Sequence, residues 1–153
     1  MNILVFRTTN DERLCKILQQ ASKHSNNVSL VLPVKKYKFY KRQYPEITCI
    51  PTQKDYMDYD TLLLEKENYR KCYDEAWVPS SHENNEYTFG EVYNFLEELR
   101  CKRIIWISPT GKRLIMSGQD SKKEKLDYLC IKIVFELSEL ASKFLSKLKG
   151  YCG

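Results

Sequence analysis

Glycine and proline are scarce in this 153-residue chain, five of each, and histidine occurs only twice. No G-x-G-x-x-G follows the first apolar run and no G-x-x-x-x-G-K-[ST] exists anywhere. That argues against a dinucleotide dehydrogenase and against a P-loop enzyme. Thr110-Gly111-Lys112 matches the tail of the second motif but falls in a strand-to-strand turn. The six cysteines (Cys15, Cys49, Cys72, Cys101, Cys130, Cys152) lie far apart, and none forms a C-x-x-C pair. Their spacing argues against zinc, and they read as free thiols of a reducing cytoplasm. No uncharged apolar stretch reaches about 18 residues, so no membrane span is expected. Met1 leads straight into a strand-like run, without the basic segment and cleavage site of a secretory signal. Charge of one sign is also modest. The net charge of +5 fits a solvated surface with some preference for anions. The basic residues are spread along the chain without a recognised motif, so nucleic acid is not the expected partner.

What the chain does contain is a set of short apolar runs. NILVF opens it at Asn2–Phe6. SLVLP (Ser29–Pro33), ITCIP (Ile47–Pro51), EAWVP (Glu75–Pro79) and IWISP (Ile105–Pro109) each stop at a proline. Such runs suit strands buried on both faces, and proline lacks the N–H that a ladder needs. Between them lie helical patterns. Leu14, Ile17, Leu18 and Ala21 repeat on one face after a Thr9/Glu12 capping-box spacing. Lys35–Tyr44 reads as a short helix whose tyrosines and Lys41 cover the sheet, and Thr61–Lys71 as another. A further helix is expected from Thr88, with Phe89, Val92, Tyr93, Leu96 and Leu99 buried. Leu114–Met116 reads as an antiparallel edge strand. From Ser121 to Lys149 the steps of three and four predict one helix of about 40 Å at 1.5 Å per residue.

Alternating strands and helices predict a single α/β domain over residues 1–153, with sheet and crossover helices in 1–118 and the long helix in 121–149. The expected architecture is three layers around a Rossmann-like parallel sheet of order 3-2-1-4-5 with right-handed crossovers. Its switch point then lies between the first and fourth strands, faced by Arg7–Asp11 and Ser80–Tyr87. There Arg7, Thr8, Thr9, Ser80 and Ser81 are the candidate ligand-binding residues. Lys35, Lys36, Lys54, Lys112, Arg113, Thr52 and Thr110 approach the same edge. Together with helix N-termini they suit a phosphate or a nucleotide-linked sugar. Asp11 and His82 are the candidate catalytic groups, His82 because Ser81, Glu83 and Glu86 surround it in sequence. His24 closes a helix, and Asp74 precedes the fourth strand on the opposite edge. No metal site and no cofactor are expected.

Two stretches carry a family resemblance. NILVFRTTNDERLCKIL resembles the opening strand, Arg-bearing loop and helix of ADP-heptose-type lipopolysaccharide glycosyltransferases, which have the two-domain GT-B architecture. YDEAWVPS (Tyr73–Ser80) resembles the strand-then-Pro-Ser segment late in the N-terminal domain of sugar-nucleotide glycosyltransferases. Together with the run at Val28 and YPEITCI, the similarity spans the first two-thirds of the chain. The family's loop has a Gly-Asp a few residues beyond the arginine; here the glycine is missing and Asp11 sits closer. The long predicted helix stands where that family has its donor-nucleotide domain. The resemblance therefore implies a cytoplasmic glycosyltransferase-like accessory or incomplete domain for surface polysaccharide assembly, binding a nucleotide-sugar or phosphorylated ligand and not catalytic as an isolated chain. The alternative from the residues is a non-catalytic interaction module that forms a homodimer, or holds a protein partner, through the C-terminal helix.

Overall fold

The computed structural model describes residues 1–55, 58–69, 72–81 and 90–116, with residues 130, 133, 134, 137 and 138. β1 (Asn2–Phe6), β2 (Asn27–Pro33), β3 (Thr48–Thr52), β4 (Glu75–Pro79), β5 (Arg103–Ile107) and β6 (Arg113–Met116) form one sheet of order β3-β2-β1-β4-β5-β6. β1 to β5 pair in parallel, and β6 runs antiparallel to β5. The helices among the described residues are α1 (Asp11–His24), α2 (Val34–Gln43), α3 (Tyr59–Leu64) and α4 (Gly90–Glu98). None of them is long and apolar enough to cross a membrane. The predicted helix at 121–149 lies largely outside the described residues.

Alternation along each strand divides the core in two, because successive side chains point to opposite faces. Ile3, Val5, Leu30, Leu32, Trp77, Ile105 and Ile107 meet Leu14, Ile17, Leu18 and Ala21 of α1 and Tyr40 of α2. Leu4, Phe6, Val31, Ala76, Val78 and Ile104 meet Leu62 of α3 and Val92, Phe95 and Leu96 of α4. Helices therefore cover both faces, and this is why the strand runs are apolar throughout. Each fully buried Leu, Ile or Phe contributes about 1.5–3 kcal/mol. On the first face, the buried Glu75 links β4 to β5: it accepts from Trp77 Nε1 at 2.8 Å and pairs with Arg103 at 2.5 Å.

Several sequence-based boundaries move. Asn10, not Thr9, caps α1, with its side chain accepting from the Arg13 N–H at 3.0 Å. Both residue types can cap, and the one immediately before the first helical turn does so. β3 continues through Pro51, because an edge strand pairs on one side only and tolerates a missing N–H. The expected helix at 61–71 begins earlier and breaks: α3 starts at Tyr59 behind its Asp58 cap, and Lys66–Asn68 is a 3₁₀ turn. In α2 only Tyr40 is fully buried, so the lysine stems do not cover the sheet as expected. The β5–β6 connection turns on Gly111 at φ 87°, a left-handed conformation that favours glycine.

Candidate functional site

Parallel order places the exits of β1 and β4 side by side, and the chain stitches them together there. The Thr8 hydroxyl donates to the Pro79 carbonyl, and the Ser81 hydroxyl donates to the Thr8 carbonyl at 3.2 Å. The Ser80 N–H bonds the Ile107 carbonyl at 2.8 Å, and the Arg7 N–H bonds the Val31 carbonyl at 2.9 Å. Arg7, Thr8, Ser80 and Ser81 thus share one edge of the sheet. His82, Glu83 and Glu86 lie outside the described residues.

Arg13, in the first turn of α1, reaches the neighbouring exits of β4 and β5. One terminal nitrogen donates to the Ser80 carbonyl and to Thr9 Oγ1 at 3.4 Å. The other donates to the Ile107 carbonyl at 2.9 Å and to the Ser108 carbonyl. A guanidinium is suited to this, since its planar fork can reach several carbonyls at once. Arg13 was not among the residues singled out from sequence. One signal was available: a cation in a helix's first turn opposes the macrodipole and so needs a specific partner.

Beside Arg13, Asp11 is the hub of a second cluster. Its Oδ1 accepts from Arg7 at 2.7 and 3.0 Å and from the Tyr40 hydroxyl at 2.9 Å, while Oδ2 accepts from Lys36 at 2.7 Å. The Lys36 ammonium leads in holding the Asp11 carboxyl well below the usual range; burial works the other way, and Arg7 and Tyr40 add to the lowering. Burial and the neighbouring Asp11 carboxylate push the Tyr40 phenol up. Arg7 is also raised, burial being outweighed by its bond to Asp11. A carboxylate held so firmly ionised is a poor proton acceptor near neutral pH. Among the described residues the cluster has no group poised for proton transfer.

The remaining expected cations are dispersed. Lys35 pairs with Asp55 at 2.5 Å and Lys54 with Asp58 at 3.2 Å. Arg113 donates to Gln20 at 3.0 Å and lies 4.3 Å from the centre of the Trp77 ring, away from the crevice. Thr52 turns inward to the Leu32 and Lys54 carbonyls, at 3.4 and 3.0 Å. Thr110 shares a 2.8 Å hydrogen bond with the buried Ser108. Among the described residues no three His, Cys, Asp or Glu side chains converge to hold a metal ion. Comparison with protein families, with curated proteins and with solved structures finds no match to this chain.

Proposed function

We propose that this chain is a Rossmann-like, glycosyltransferase-like accessory or incomplete domain that holds a nucleotide-sugar or phosphorylated ligand at the β1/β4 switch point. The observation that carries the reading is the charge balance there. Among the described residues, Arg7 and Lys36 stand against the carboxylate of Asp11 beside the exit of β1, and Arg13 joins the neighbouring exits of β4 and β5. Ligands of open parallel sheets bind at such a point, and phosphate is the common anion that a cationic crevice beside a helix N-terminus accepts. The resemblance of Asn2–Leu18 and Tyr73–Ser80 to glycosyltransferase segments supplies the ligand class.

A thermal-shift panel of nucleotides, nucleotide sugars and sugar phosphates tests it. A ligand at 100 times its Kd stabilises by about 2.7 kcal/mol, or about 5–10 °C in Tm for a chain of this size. Arg7→Ala with Ser81→Ala should remove the shift while leaving the fold. No response from any member of the panel with the unaltered protein would reject the proposal.

One observation favours the second reading, an interaction module. Ile133, Val134 and Leu137 are helical and exposed by 47%, 64% and 60%, and steps of three and four put them on one face. Light scattering at rising concentration decides it: association that Val134→Lys with Leu137→Lys abolishes supports this reading, and a strict monomer counts against self-pairing.

A further inference from the structure

α2 has the sequence VKKYKFYKRQ, five basic residues and no acidic one. Its buried residue is Tyr40, so the opposite face is turned outward. Three of the cations are occupied. Lys36 holds Asp11, Lys35 holds Asp55, and Lys41 reaches the Pro45 and Ile47 carbonyls at 3.0 and 3.4 Å. Lys38 and Arg42 are different. They lie four residues apart on the exposed face, and neither has a hydrogen-bond or ion-pair partner among the described residues. Between them in sequence stands Phe39, 53% exposed, with its ring edge-on to Tyr40 at 5.1 Å. Among the described residues, Lys38, Phe39, Arg42 and Gln43 line an open cavity of about 580 Å³.

We infer that this face of α2 binds single-stranded nucleic acid, Lys38 and Arg42 contacting successive phosphates and Phe39 stacking on a base. A single strand is the polyanion that offers a π-face at every repeat, and cations interleaved with an exposed ring are what it needs. The Gln43 amide at the cavity wall can meet a base edge. An anionic membrane fits less well. Val34, the other exposed apolar residue of α2, is five positions from Phe39, roughly 140° around the helix at 100° per residue. The two therefore form no continuous apolar face that could enter a headgroup layer. The site is separate from the switch point, and the two can fail independently.

Fluorescence anisotropy with a labelled twelve-nucleotide oligo(dT) tests the inference. Two phosphate contacts predict a slope of log K against log salt of about −1.4. Phe39→Ala should weaken binding about fivefold or more, the loss of one base stack. Lys38→Gln with Arg42→Gln should remove most of the binding and flatten the salt slope, while Arg7→Ala with Ser81→Ala leaves both unchanged. The α2 side chains replaced are exposed, and circular dichroism checks that the variants remain folded. Four results would overturn the inference: no binding at 50 mM salt; full affinity in Phe39→Ala; a duplex of the same length binding as tightly; or phosphatidylserine vesicles displacing the oligonucleotide at equal charge concentration.

Discussion

Arg13 offers the sharpest single perturbation. Its guanidinium joins the start of α1 to the ends of β4 and β5 through the Ser80, Ile107 and Ser108 carbonyls. Arg13→Met keeps the apolar stem and removes every one of these donors. A hydrogen bond to a charged group contributes about 1.5–3 kcal/mol net. Contacts that share one guanidinium are not additive, and a half-buried edge lets water reach the freed carbonyls. The expected loss is therefore about 2–4 kcal/mol, well below the plain sum. In a chain of this length that lowers Tm by about 5–15 °C. Arg13→Lys should recover little, because a point ammonium cannot serve acceptors spread across two strand ends. Urea unfolding followed by tryptophan fluorescence reads the change, and Trp77 in the core is a suitable reporter. A loss below about 0.5 kcal/mol in Arg13→Met, the size of an ordinary surface substitution, would refute the bridging role.

Asp11→Asn should lower stability at pH 7 by about 1–2 kcal/mol, the range for charged hydrogen bonds reduced because the side chain is about one-third exposed. Folding depresses the Asp11 pKa, so its contribution is full above the unfolded value near 3.9 and fades as pH falls below it. The gap between Asp11→Asn and the unaltered protein should therefore hold from pH 7 to 5 and narrow steadily as pH falls below about 4; a gap that does not narrow counts against the ion-pair account. Tyr69→Phe should be neutral or stabilising by up to about 1 kcal/mol, because the buried Tyr69 hydroxyl has no hydrogen-bond partner among the described residues. A clear loss in urea unfolding would mean that the hydroxyl is satisfied.

The strand order was open to reading because burial on both faces leaves continuous apolar runs, and the intervening amphipathic stretches force crossovers. The order through β5 and the antiparallel β6 agree with that reading. Boundaries were harder to read where two adjacent residues can do the same job, as Thr9 and Asn10 can at the cap. Pro51 misled for another reason: it stops a central strand but not an edge strand, and edge status is a property of the whole sheet. At the candidate site, topology alone brings Arg7 and Ser80 to one edge. The pairing of Lys36 with Asp11 depends on side-chain reach between α2 and α1, which no local spacing encodes. Arg13 was hidden because arginine in an amphipathic stretch looks like part of a solvated face. Likewise KKYKFYKR shows its charge in the sequence, but which cations are already occupied appears only after folding.

The proposed function places a phosphorylated ligand at the joined exits of β1 and β4. Amide chemical-shift mapping during titration with the nucleotide sugar that gives the largest thermal shift tests it most directly. The account predicts saturable shifts concentrated at Thr8–Arg13 and Ser80–Ser81, with β3 and α3 unmoved. Saturable shifts confined to any other part of the molecule, with those amides unchanged, would contradict it.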